Sequence, residues 1–234
     1  MKGSLSPLVR FELSRLGRRR AFWTVWGALA AWAALESFNL PGDLPSPLRL
    51  WALPVVYLAG WALADDLRSG ALDVLLGTGA TLPRLLLVRF AVVAGIGLGT
   101  LVLLGLPALL RGGPATTTVT DLAVVVVYWA ALGAALGFFA GAGGLTALAA
   151  AGGFVELWWL TGGSVWLAGG EPTGGVRGTL SVVLHLGSPF PAAELPFGPV
   201  VFPHEWLRLV VAATAVVLVS HRLSRISLFV REDL

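Results

Sequence analysis

The chain has 234 residues, of which 56% are apolar and only 12% charged, whereas about a quarter of the residues are charged in an ordinary soluble domain. So little polar surface excludes a water-soluble globule of this size and predicts a membrane protein. The formal charge of +3 is not arranged as the basic, aromatic-interleaved stripe of a nucleic-acid-binding protein, so no nucleic acid is expected as a partner. The absence of cysteine removes disulfides and thiolate metal sites.

The chain contains a single lysine, Lys2. A phosphate-binding loop of the G-x-x-x-x-G-K-[ST] type requires a lysine within a glycine-rich turn, and Lys2 lies far from any such sequence. If the protein works with ATP, another chain must hydrolyse it. ATP and magnesium are therefore expected in a partner and not here.

Residues 1–20 form a basic arm with apolar residues near helical spacing. This pattern predicts a helix that lies at the membrane interface, although Glu12 interrupts the apolar face. A competing interpretation is a signal peptide cleaved at Ala31-Trp32-Ala33. Cleavage would leave an odd number of spans and place the basic C-terminal tail beside arginine-poor loops, so an uncleaved start is preferred. The arginines of the arm are Arg10, Arg15, Arg18, Arg19 and Arg20.

Six apolar runs follow the arm, and a membrane-spanning helix needs about 20 such residues. The second run is short, and the third is long enough to tilt. The pattern predicts an all-α polytopic bundle of six transmembrane helices in one domain, 1–234, with both termini on the same side. The runs are 21–38, 50–64, 85–110, 122–141, 145–168 and 205–221.

The basic residues indicate the orientation, because short cytoplasmic segments carry the excess of lysine and arginine. The face with the termini would carry Lys2, the arm arginines, Arg68, Arg84, Arg89, Arg222, Arg225 and Arg231. The other face would carry only Arg49, Arg111, Arg177 and Arg208. We therefore expect a multi-pass protein of the inner (plasma) membrane with cytoplasmic N- and C-termini.

The cytoplasmic loop 65–84 holds a short helical segment between glycines. Gly70 can break the preceding helix, residues 71–76 can form one or two turns, and Gly77 and Gly79 can end them. Leu72, Leu75 and Leu76 would share one face. Such a helix suits docking onto a soluble partner; the alternatives are that it lies on lipid headgroups or packs under its own bundle.

The same loop resembles the segment after the second span in permeases of the ATP-binding-cassette type 2 family. That segment has an acidic stretch, Gly-Thr-Leu-Glu, leucines, a Thr-Pro turn and a later basic residue. Here Ala71, Asp73 and Gly79 replace the usual Thr, Glu and Pro. The basic arm is similar to the family's elbow helix, and the ending 229–234 to its basic-acidic-leucine terminus. The matching loop residues are Asp65, Asp66, Gly70, Leu72, Asp73, Leu75, Leu76, Thr78 and Arg89.

The resemblance implies the permease subunit of an ATP-driven transporter, an exporter, in which two permease subunits, identical or paralogous, form the pathway. Separate ATPase subunits would bind ATP and magnesium, and loop 65–84 would be the coupling helix that docks on them. The alternatives are a haem-exporter-type membrane subunit of cytochrome c biogenesis and a membrane scaffold that transports nothing. The docking residues would be Asp66, Gly70, Leu72, Asp73, Leu75 and Leu76.

The external segment 169–204 is long for a simple connection. Its apolar stretches, 180–186 and 197–202, are too short to span, and prolines interrupt the segment. Such lengths fit re-entrant elements, and similar permeases place paired re-entrant helices before their last span. We expect an outer gate there, with Leu184 in it; the alternative is a flat lid on the surface.

Two features inside the predicted spans suggest function or close packing. Gly133, Gly137 and Gly141 recur every fourth residue, which allows close helix packing inside the subunit or at a dimer seam. Glu156 lies in the fifth span, where a carboxylate is costly. It is a candidate for substrate contact or proton relay, and the alternative is a packing role with a paired or protonated carboxyl.

Catalytic constellations are weak. Ser164 and His185 could suggest an intramembrane serine protease, but Val165 follows the serine where Gly-x-Ser-Gly is usual, and His185 falls outside any predicted span. The histidines have no second ligand at metal spacing. The chain is therefore not expected to be an enzyme.

Overall fold

The computed structural model describes residues 5–39, 50–77, 79–111, 115–158, 183, 186–188 and 206–232. All the regular elements in these ranges are helices, so the all-α class is confirmed. They are α1 (Leu5–Gly17), α2 (Arg20–Asn39), α3 (Ala52–Ser69), α4 (Ala71–Gly77), α5 (Leu82–Arg111), α6 (Ala115–Trp158) and α7 (Trp206–Glu232).

The long helices follow the apolar runs of the sequence. α2, α3, α5 and α7 each cover one run, while α6 covers 122–141 and the first part of 145–168. Within the described ranges, two segments are long and apolar enough to cross a membrane, Leu82–Leu106 and Val119–Gly137. Ala52–Ala62 and Gly143–Phe154 are apolar but shorter. Two possible spans are thus present, and the count of six stays a prediction.

Two glycines with positive φ lie on either side of α4, where the sequence predicts breaks in the helices. Gly70 has a φ of 68° and lies between α3 and α4. Gly79, with a φ of 83°, follows α4. A left-handed conformation costs glycine little because it has no Cβ. The seven-residue helix α4 is therefore bounded on both sides by glycine breaks.

Gly141 divides α6 into two helical halves, with φ 65° and ψ 172° at that residue. Leu145 and Ala149 from the second half share a buried cluster with Trp129 and Leu132 from the first, so both halves pack on a common core. A Cβ at Gly141 would have no neighbour within 4 Å. The expectation that Gly141 serves helix packing is therefore corrected: this glycine is required by its backbone conformation.

The other two glycines of the stripe lie against α3, the helix that α6 packs on most extensively. A Cβ at Gly137 would lie 2.6 Å from the Cα and O of Gly60, and one at Gly133 would overlap the Cβ of Ala59. Only glycine allows the two backbones to approach this closely. The stripe is thus used within the chain, which is one of the two uses that its spacing suggests.

Replacing Gly137 by alanine forces a methyl group against the α3 backbone, so we expect a loss of about 1–3 kcal/mol in the free energy of unfolding. The matched control is Gly95→Ala in α5, where nothing lies within 4 Å of the added Cβ. There the better helix propensity of alanine should stabilise by about 0.5–1 kcal/mol. Thermal unfolding in detergent measures both variants, and equal stability of the two would contradict the close contact.

Candidate functional site

Arg89 lies in the N-terminal part of α5 and is buried, with its side chain 1% exposed. A buried charge must be paired, because the interior does not solvate it. The Arg89 Nε donates to Glu12 Oε1 at 2.8 Å, and Nη2 is ion-paired with Asp66. Glu12 is 2% exposed and Asp66 1%. One guanidinium group therefore joins α1, α3 and α5.

Two arginines near the end of α1 extend this arrangement. Arg15 is ion-paired with Asp66, lies 3.3 Å from Asp65 and donates to the Ala62 carbonyl at 2.8 Å. Arg19 lies 3.2 Å from Asp65. We name the following six residues the charge cluster. They are Glu12, Arg15, Arg19, Asp65, Asp66 and Arg89.

Trp61 adds an aromatic surface to the charge cluster. The guanidinium carbon of Arg19 lies 3.1 Å from the centre of a Trp61 ring, and that of Arg15 lies 4.7 Å away. Trp61 and Asp65 are four residues apart on α3, so they share a face. A cation that lies over an aromatic ring is attracted to it, so the end of α1 is held to α3 by ion pairs and by this contact.

The charge cluster is electrically balanced, since three guanidinium groups face three carboxylates. Removing one buried partner leaves an uncompensated charge. This destabilises the fold far more than replacing both partners by apolar residues does. Within the ranges given above, no three His, Cys, Asp or Glu residues gather to hold a metal ion. The ion pairs of the charge cluster connect α1, α3 and α5.

The short helix α4 follows α3 directly, a few residues after Asp66 of the charge cluster. Its Leu75 is buried with Leu82, Leu85 and Leu86 at the start of α5, and Leu76 is partly buried against the same group. Two members of the predicted docking face thus pack under the chain's own helices. Val74 is 69% exposed. The exposed side of α4 is therefore the side with Val74, and not the leucine face that the sequence predicts.

The remaining predicted site residues are placed only in part. Asp66 is turned inward, paired with Arg89 and Arg15, and not presented to a partner. The side chains of Leu72, Asp73 and Glu156 lie outside what the structure describes, although all three residues are helical. Leu184 also lies outside the described residues.

A second polar contact lies between α6, α7 and residues 186–188. Arg208 is fully buried, and its guanidinium carbon is 5.7 Å from the centre of the Tyr128 ring. The Tyr128 hydroxyl donates to the Leu186 carbonyl at 2.8 Å, and the Trp129 indole donates to the Ser188 carbonyl at 3.1 Å. These described residues of the segment 169–204 are therefore held against α6.

The pair between Glu12 and Arg89 is the feature that sequence reasoning missed. The two residues are 77 positions apart, so no local spacing connects them. Each carries a signal by itself: Glu12 interrupts the apolar face of the arm, and Arg89 is a charge inside an apolar run. Two opposite charges that are each misplaced in an apolar setting are candidates to pair with one another.

Comparisons with protein-family models, with curated proteins and with solved structures found no match to this chain.

Replacing Arg89 by methionine should cost about 3–5 kcal/mol in the free energy of unfolding, because Glu12 and Asp66 are left buried without their cation. Arg10→Met is the control, since Arg10 is exposed on α1 and its loss should change stability by less than about 0.5 kcal/mol. Chemical denaturation of the solubilised chain measures both.

A double-mutant cycle isolates the pair itself. Glu12→Gln should cost less in the Arg89→Met background than in the wild type, with a coupling of about 0.5–3 kcal/mol. Strictly additive effects of the two substitutions would show that the carboxylate and the guanidinium do not interact.

Proposed function

We propose that the chain is the membrane permease subunit of an ATP-driven exporter, working with a second permease subunit and with separate ATPase subunits. The observation that carries the proposal is the setting of α4. A short helix, bounded by Gly70 and Gly79, exposes Val74 on one side and packs on the start of α5 with the other. It lies in the loop whose residues resemble a coupling helix.

The contacts of α4 suit the transmission of a movement. Leu75 belongs to one buried cluster with Leu85 and Leu86, so a displacement of α4 would disturb the packing at the start of α5. The preceding helix α3 carries Asp65 and Asp66, which hold α1 and α5 through the charge cluster. Packed interiors transmit strain because they have low compressibility. An ATPase that moved α4 would therefore move α1, α3 and α5 together.

Exposed apolar side chains support insertion in a bilayer. They recur along α5 and along α7, both of which run for many turns. Apolar patches of this extent are rare on soluble monomers, and acyl chains would cover them. We propose six spans with cytoplasmic termini, as the arginine distribution indicates. The exposed residues are Leu87, Val102, Leu103, Leu106 and Leu110 on α5, and Trp206, Val210, Val217 and Leu218 on α7.

Identification of the partner chains separates this proposal from its alternatives. A general exporter should co-purify with an ATPase and a second permease subunit. Recovery with cytochrome maturation factors would favour the haem-exporter alternative. Recovery without any ATPase would favour a scaffold. The direction of transport and the pairing of permease subunits are proposed from the family resemblance alone.

Val74→Asp should abolish recovery of the ATPase in a pull-down, because it places a charge on the outward side of α4 while the buried Leu75 is untouched. Ser14→Asp is the matched control. It adds the same charge at an exposed position of α1, on the same proposed side of the membrane, and should leave recovery unchanged. Undiminished recovery with Val74→Asp would remove α4 as the docking element.

Single cysteines test the proposed topology, since the chain has none of its own. A membrane-impermeant maleimide should label Ser46→Cys and Thr117→Cys in intact cells, because both positions lie on the proposed outer face. Ser69→Cys and Ser224→Cys should react only after permeabilisation. Labelling of both Ser46→Cys and Ser69→Cys only after permeabilisation would show that 21–38 and 50–64 do not form two spans, and labelling of Ser69→Cys but not Ser46→Cys in intact cells would show the opposite orientation.

A further inference from the structure

An apolar groove of about 370 Å³ lies between α2, α3 and the second half of α6. Its volume is in the range of ligand-binding pockets. Only two of its lining residues carry a polar side-chain group, Tyr57 and Thr146. The other lining residues are Ala21, Phe22, Val25, Leu29, Leu50, Leu53 and Pro54.

The lining residues of the groove on α2 extend over about two turns of that helix. From Ala21 to Leu29 the helix rises by about 12 Å. An extended peptide segment in such a groove would lack partners for its backbone N–H and C=O groups, which need hydrogen bonds when buried. A hydrocarbon chain has no such groups, so its burial in an apolar groove leaves nothing unsatisfied.

The chain just before Ala21 carries two exposed arginines. Arg18 and Arg20 immediately precede it in the chain and are exposed, whereas Arg19 between them is partly buried against Asp65 and Trp61. The turn between α1 and α2 therefore directs one arginine into the charge cluster and leaves two at the surface. Exposed arginines at the cytoplasmic boundary of a membrane helix attract anionic headgroups.

We infer that the groove binds an anionic glycerophospholipid, with an acyl chain between α2 and α3 and the headgroup phosphate at Arg18 and Arg20. The inference rests on the proposed membrane insertion with a cytoplasmic arm, and not on the transport activity. The groove supplies apolar contact for the chain, and the arginines supply charge and N–H donors for the phosphate. The arginines favour an anionic headgroup and the groove favours a hydrocarbon chain; an anionic glycerophospholipid has both.

Native mass spectrometry of the full chain tests the inference, with phosphatidylglycerol or phosphatidylcholine of identical acyl chains added in detergent. Wild type should retain phosphatidylglycerol more tightly. Arg18→Gln with Arg20→Gln should weaken that lipid by about thirtyfold, at about 1 kcal/mol per arginine, and should weaken phosphatidylcholine much less, because its choline cation offsets the phosphate charge. Arg10→Gln, at an exposed arginine on α1 away from the groove, should change neither.

A second pair of variants tests the groove itself. Val25→Trp should fill it and lower retention of both lipids. Val102→Trp adds the same bulk on α5 at a similar exposure, since Val102 is 50% exposed and Val25 52%. It should not lower lipid retention, because Val102 does not line the groove. Equal retention of the two lipids by the wild type, or equal effects of the two tryptophans, would overturn the inference.

Failure of this inference is distinguishable from failure of the proposed function. A chain that resists alkaline extraction from membranes but shows no lipid preference is inserted and lacks the site. A chain that retains the lipid but recovers no ATPase keeps the site and loses the transporter assignment.

Discussion

The burial of Arg89 is the constraint on which the packing of α1, α3 and α5 depends. A guanidinium group cannot lose its protons inside a protein, so its charge must be met by carboxylates brought from elsewhere in the chain. Glu12 and Asp66 meet it. Since Glu12 is the one acidic residue of α1, the helix can dock in only one rotational position about its axis. That position then places Arg15 and Arg19 over Trp61 and beside Asp65.

A second constraint fixes α3 from its other side. Its Ala59 and Gly60 lie against the backbone of α6 at Gly133 and Gly137, where no larger side chain fits. About one and a half turns later, Asp65 and Asp66 enter the charge cluster. α3 is therefore held by backbone contact at one level and by ion pairs at the next, and α4 begins immediately beyond its end at Gly70. A helix fixed in this way is a stiff connection between α4 and the bundle.

The sequence predicts those structural features that depend on residues close together in the chain. Apolar runs predict the long helices, and the glycines around 71–76 predict α4, because each signal is contained within a few turns. The sequence does not predict the charge cluster, whose members come from α1, the turn after it, α3 and α5. Spacing also misassigns Gly141: the interval of four is the same as for Gly133 and Gly137, but its φ of 65° places it at a break in the helix. Likewise, the leucines of α4 share a face, yet no sequence pattern states whether that face meets a partner or α5.

The charge cluster also bears on how the arginines orient the chain. Arg15, Arg19 and Arg89 are neutralised in the folded structure by Asp65, Asp66 and Glu12, so they add no net charge to the proposed cytoplasmic face. The bias that sets topology counts lysine and arginine and is little affected by acidic residues. It acts as segments insert, whereas the ion pairs require α1, α3 and α5 to have come together. In the proposed topology, the same three arginines would orient the chain first, and in the folded structure they pair with carboxylates of other helices.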